Sequence, residues 1–184
     1  MRYNRHEFMQ DFGDININRW AMRMPVFMRE VDDCMEMKVT TNWTGKRHFT
    51  SKGPSGFEVS IDAAESAGGE NSGNRPMELL LMGLTGCTGI DIAMILERMR
   101  QPLEGLEIEA SGTRREDYPQ AFTEIHLTYK MTGEVQPAKA WRAIVLSEQK
   151  YCSASASLRA KIVPHLILNG AEIEAPSDSE DLPD

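Results

Sequence analysis

The stretch "MELLLMGLTGCTGIDIAMILERMR", residues 77–100, decides the fold. Twelve consecutive residues in it, Leu79 to Ile90, carry no charge, and Pro76 stands ahead of them, pre-set for a first helical turn. The run is too apolar for a surface helix and, at twelve residues, too short for a bilayer, so the pattern predicts a helix buried on nearly all sides. Pro102 and Gly105 end it. Gly83, Gly86 and Gly89 interrupt the run at i, i+3 spacing, with Cys87 beside them. Each glycine costs roughly 1 kcal/mol relative to alanine in a helix interior. Such a stripe is worth that cost where another backbone must approach closely.

Outward from this helix, periodicity changes to that of strands. "MEMKVTTNW", "RHFTSK" after Thr44-Gly45, and "GFEVSID" after Gly53-Pro54 predict a three-strand meander, followed by the loop "AAESAGGENSGNRP". On the other side lie two strands, "LEIEASGTRRE" and "FTEIHLTYKM". Pro137 opens a second helix, "PAKAWRAIVLSEQKY", with Trp141, Ile144 and Val145 on one face. A short third helix, "ASASLRAKI", is capped by Ser153 or Ser155, and the strand "PHLILNG" closes the domain. This order predicts one α+β domain over residues 36–170. Residues 1–35 form an amino-terminal extension, read either as an arm packing on a partner subunit or as a mobile leader. Residues 171–184, "AEIEAPSDSEDLPD", hold six acids and no base and predict a disordered acidic tail.

Composition narrows the function. The net charge of -8 and pI near 5.1 argue against a nucleic-acid or anionic-membrane binder, which needs a basic surface. Nowhere do 18 apolar residues run together, and the first residues lack the apolar run of a signal peptide, so no membrane partner is expected. Three cysteines, Cys34, Cys87 and Cys152, make an odd count without a CxxC pair, which excludes a secreted disulfide framework. A reducing cytoplasm is the expected compartment.

The cysteines carry two readings. A lone cysteine in an apolar helix is most simply an inert packing residue. Cys152, however, sits in "KYCSASASL", where one helix ends and another begins, close to helix N-terminal amides that favour a thiolate. Two such cysteines are compatible with a nucleophile and a resolving thiol. Asp91, four residues after Cys87, shares its face; a carboxylate there opposes thiolate formation, and a buried polar bond to a partner subunit is the expected role. Cys34, in "VDDCME", is a spectator flanked by acids. Of His6, His48, His126 and His165, no pair has ligand spacing, so no metal is expected, a zinc site from Cys87, Cys152 and a histidine being a minor alternative.

Two segments together resemble a known family. "RPMELLLMGLTGCTGIDIAMIL" is similar to the first signature of the OsmC/Ohr proteins, and "SEQKYCSASASL" to the second. The resemblance implies an OsmC-like fold, antiparallel sheets around a long central helix, in a tightly intertwined homodimer with active sites at the subunit interface. It implies a cysteine-based hydroperoxide reductase: Cys87 peroxidatic, Cys152 resolving, a small or protein dithiol as reductant, and no metal or organic cofactor. The cation that activates the thiolate in the Ohr branch is an arginine on the meander, held by a glutamate that opens the long helix. Here Lys46 follows the glycine turn with Arg47 next to it, and Glu78 follows Pro76 only after Met77. Arg47 and Glu78 are the matching candidates, and their offsets suit a less specialised OsmC-like branch. A non-catalytic dimer binding a small apolar or thiol ligand, or sensing redox state, is the alternative.

Overall fold

A computed structural model describes residues 36–176. The expected extension through residue 35, with Cys34 and His6, and residues 177–184 of the expected tail lie outside them.

The meander forms as three antiparallel strands, β1 (Thr40–Gly45), β2 (His48–Lys52) and β3 (Glu58–Ile61). β1 begins at Thr40 rather than near residue 36. Its turn to β2 is set by Gly45 (φ 123°) and Lys46 (φ 47°), and the Trp43 indole N–H donates to the Lys46 carbonyl at 3.1 Å. A loop with one 3-10 turn, Glu65–Ala67, then leads to α1 (Pro76–Arg98). Asp62 organises that loop: its carboxylate accepts from the N–H groups of Ala63 (2.8 Å), Glu70 (2.9 Å) and Ser72 (3.1 Å) and from the Ser72 hydroxyl (3.0 Å). These donors favour the ionised form and hold the Asp62 carboxyl well below the usual range, first among them the Ser72 N–H.

A second sheet has the order β4 (Leu103–Arg114), β5 (Phe122–Gly133), β6 (Lys161–Leu168) and β7 (Ala171–Ile173). β4–β5 and β6–β7 are antiparallel, but β5 and β6 run parallel, so this sheet is mixed. The parallel pair is connected through α2 (Pro137–Leu146), a π turn (Ser147–Tyr151) and α3 (Ser153–Ser157). Alternation along β5 sends Ile125, Leu127, Tyr129 and Met131 into the core, where α1 contributes Leu84, Ile92, Ile95 and Leu96 and α2 contributes Ala140, Trp141, Ala143 and Ile144. α3 is shorter than expected because Lys161 already belongs to β6.

Two expectations are corrected. The tail loses its first three residues to β7, because Asn169 (φ 51°) and Gly170 (φ 83°) make an Asn-Gly turn between Leu168 and Ala171, a two-residue hairpin connection. The Asn169 side chain also grips Gly133, accepting from its N–H at 3.1 Å and donating to its carbonyl at 3.0 Å. β7 covers only Leu166–Leu168 of β6; Pro164 lies in the uncovered half, where a strand tolerates a missing N–H. The second correction concerns α1, which in the single chain is buried on one side only: Ile90 is 63% and Met82 52% exposed, and Leu80 and Met94 are exposed with them. By length and composition α1 could cross a bilayer, yet β4, α2, the π turn and α3 all pack on it, which is the position of a core helix.

Candidate functional site

The glycine stripe of α1 divides between two environments. A Cβ at Gly89 would approach the Ile108 Cδ1 of β4 to 3.0 Å, so this glycine lets the helix settle on its own sheet. A Cβ at Gly83 or Gly86 would meet no atom within 4 Å, and Gly86 and Gly89 line, with Met82, Thr85, Ile90 and the β4 residues Leu106 and Ile108, a shallow open groove. Cys87 points the other way and packs, half-buried, against the core.

There it meets Cys152. The sulfurs of Cys87 and Cys152 and a carboxylate oxygen of Asp91 all lie within 4.8 Å of one another. Both thiols are free. Cys87 and Asp91 come from successive turns of α1, and Cys152 is brought in by the π turn, whose Cys152 N–H donates to the Ser147 carbonyl at 2.8 Å. Neither Ser153 nor Ser155 caps α3. Cys152 does so itself, its Sγ accepting from the Ser155 N–H at 3.3 Å. That contact is the amide proximity expected from sequence, but it does not yield a thiolate. Burial outweighs it, with Cys87 and Asp91 adding to the effect, and pushes the Cys152 thiol up to about 11.

Acidic groups dominate the surroundings. Asp91, expected to bond a partner subunit, accepts from the Ser147 hydroxyl of its own chain at 3.1 Å, and burial raises its carboxyl. Glu148, on the same π turn, has Oε1 buried without a hydrogen-bond partner, and desolvation pushes its carboxyl up to about 7. The buried Tyr129 phenol is raised by desolvation first, then by the Glu148 charge. Among the described residues, neither Asp91 nor Glu148 pairs with a basic side chain, and none hydrogen-bonds to Cys87 or Cys152. A crevice lined by Asp91, Met94, Ile95, Arg98 and Tyr151 reaches the carboxylate from the surface.

The remaining candidates lie apart from the thiols. Arg47, on the β1–β2 turn, has Nε 4.0 Å from the position of a Cβ on Gly68, and Lys46 pairs with Glu70 at 2.5 Å. Glu78 accepts from the Arg75 N–H at 2.9 Å and so caps the start of α1, while the Arg75 guanidinium holds the Asp62 and Gly73 carbonyls at 3.1 and 2.8 Å. The structure therefore joins Cys87 with Cys152 and leaves Arg47 and Glu78 elsewhere in the same subunit. His126 and His165 are joined by the parallel β5–β6 pairing, Nδ1 to Nε2 at 2.9 Å, with Glu124 on the far nitrogen of His126, on the half-exposed outer face of the sheet. His48 bonds Ser60 and Thr44. No histidine accompanies the cysteines among the described residues. Sequence reading missed Ser147 and Glu148, because an i→i+5 turn inside a helical pattern leaves no local mark.

Residues 69–166, which carry both thiols, match the family model for OsmC-like protein. The chain belongs to the OsmC-like family. Escherichia coli YhfA, strain K12, is 34% identical over 126 residues, 66% of this chain and 89% of YhfA. A hypothetical protein from Aquifex aeolicus VF5 has a crystal structure similar at a TM-score of 0.63 with 30% identity, covering 73% of this chain and 98% of that one. An organic hydroperoxide resistance protein OsmC from Legionella pneumophila shares the fold at a TM-score of 0.57 and 16% identity, covering 74% of this chain and 98% of that one. The OsmC-like segment thus contains both thiols, Asp91, Ser147 and Glu148.

Proposed function

We propose that this OsmC-like chain is a thiol-dependent hydroperoxide reductase in which Cys87 is oxidised and Cys152 resolves. The observation that carries the reading is the approach of the two sulfurs to within 4.8 Å, a short step from the roughly 2.05 Å of a disulfide bond. The order of events follows from the environments. Cys152 is buried and its proton is held, whereas Cys87 is half-buried, so Cys87 is the sulfur that meets an oxidant. Its thiolate attacks the distal oxygen of ROOH, the O–O bond breaks, and with one proton ROH leaves and Cys87 becomes a sulfenic acid. The Cys152 thiol then displaces water from that sulfenic acid to give the disulfide, and an external dithiol returns both thiols.

The cation this chemistry requires is proposed to come from a second subunit. The exposed apolar face of α1, with open Gly83 and Gly86, supports an intertwined homodimer centred on this helix. The meander bearing Lys46 and Arg47 makes no extensive contact with the helices or second sheet of its own chain, which leaves it available to the partner. In that assembly Arg47 stands nearest to the role of activating cation, and Glu78 steadies the helix start that faces it. Free thiols of this kind persist in a reducing cytoplasm, the compartment we assign. The acidic surroundings of the thiols within one subunit favour the second reading, a non-catalytic dimer that binds a thiol or apolar ligand or senses redox state.

Thiol counting separates the two. Reduced protein treated with equimolar cumene hydroperoxide is expected to lose two thiols per chain, Cys152→Ser to lose one and stop at the sulfenic acid, and Cys87→Ser to lose none. Retention of both thiols by the unsubstituted protein overturns the peroxidase reading.

A further inference from the structure

Cys87, Asp91 and Cys152 combine two features that a peroxidatic pair does not need. One is a third donor: a carboxylate oxygen within 4.8 Å of both sulfurs, on the same helix face as Cys87 one turn on. The other is charge. The pair of thiols and the carboxylate sit together with no basic side chain hydrogen-bonded to any of them among the described residues. A divalent cation suits such a cluster, since it replaces the thiol protons and offsets two of the three negative charges it binds.

The geometry points to a tetrahedral zinc-class site formed by Cys87 Sγ, Cys152 Sγ and an Asp91 carboxylate oxygen, with the fourth position open. Two thiolates and one carboxylate form a donor set that selects Zn2+ over Mg2+, Ca2+ or Mn2+. In a tetrahedral site with bonds of about 2.0–2.3 Å the donors stand roughly 3.5–3.8 Å apart, so an approach of about 1 Å between side chains closes the site. The Ser147 hydroxyl, donating to Asp91 Oδ2 at 3.1 Å, leaves the other carboxylate oxygen for the ion and fixes its aim. The crevice of Asp91, Met94, Ile95, Arg98 and Tyr151 supplies the entry path. Binding releases the two thiol protons to solvent and changes no oxidation state. It occupies the sulfurs that would form a disulfide, so the ion and oxidation exclude each other. The ion site itself requires only reduced thiols, whereas this exclusion rests on the peroxidase reading.

Cobalt(II) is the probe, titrated into the reduced, chelator-treated full-length protein and followed by its thiolate-to-metal charge-transfer absorption and the visible bands of a tetrahedral ion. One Co2+ per chain is expected, displaced by Zn2+. Cys87→Ser and Cys152→Ser should each halve the charge-transfer intensity, Asp91→Asn should weaken binding at least tenfold, and Cys34→Ser should change nothing. Asp91→Cys distinguishes a ligand from a structural residue: a third thiolate should raise the charge-transfer intensity by about half. No charge-transfer band in the folded, reduced protein overturns the site, as does a band that survives loss of both Cys87 and Cys152, and undiminished affinity in Asp91→Asn overturns the carboxylate as ligand. None of these readouts uses peroxide, so a chain that binds Co2+ but keeps its thiols under peroxide retains this site while losing the proposed activity.

Discussion

Glu148 makes the largest electrostatic demand of any single carboxyl near the thiols, and its sign is testable. Its carboxyl is raised from the ordinary value of 4.5 to about 7 by burial, so the folded state holds a proton that the unfolded chain releases. Stability from this group is therefore full below about pH 4.5 and is lost as pH rises through about 7. Urea titrations between pH 5 and 8 should show a decline on the order of 2 kcal/mol, discounted for partial exposure, and Glu148→Gln should flatten it. Cys152 shows the same sign at higher pH: thiolate absorbance of a folded variant carrying both Cys34→Ser and Cys87→Ser should rise only well above pH 9, and an early rise at neutral pH would mean that a cation reaches Cys152 after all. At this scale the sequence was informative about chemistry and silent about neighbours. Cys87 and Cys152 stood out because of the residue types around them. Asp91 was visible on the helix face of Cys87, but its partner, Ser147, lies 56 residues away and is reached only through the fold.

Among the elements, the loop before α1 is held by four hydrogen bonds to the Asp62 carboxylate. A Cβ on Gly69 would lie 2.0 Å from the Ala63 carbonyl oxygen, a backbone atom that cannot yield as a flexible side chain can. Gly69→Ala should cost roughly 2–3 kcal/mol, measured as a lower urea midpoint with unchanged slope. The same loop is held by the Asp62 carboxylate, whose depressed titration means that its contribution is present at neutral pH and fades as the medium is acidified below the ordinary carboxylate range. The meander, α1, β4 and β5 were legible because their periods of two and 3.6 are sustained over many residues. β7 was not read, since three residues hold no period, although the Asn169-Gly170 pair that creates it was present in the sequence. The early end of α3 was hidden for a related reason: "ASASLRAKI" suits a helix by composition, and pairing with β5 decides otherwise from Lys161 onward.

At the scale of the whole molecule, the proposed dimer would reconcile the expectation of a helix buried on nearly all sides with the half-exposed α1 of the single chain. Ile90→Lys leaves the intrachain core untouched because Ile90 faces outward. It should therefore convert a dimer to folded monomer in sedimentation velocity, and an unchanged dimer would move the proposed interface away from α1. Spacing rules do not reach the proposed interface, because they read contacts within one chain. One feature of the second sheet bears on association of a different kind. Among the described residues, β7 leaves the first half of β6 with an open edge, a row of backbone donors and acceptors onto which an extended chain can add. Pro164 interrupts that row where it is bare, and Lys161 sets a charge at its end. A proline at an edge withholds a donor from any added strand, so Pro164→Val should leave the fold intact while raising the tendency to form thioflavin-positive aggregates.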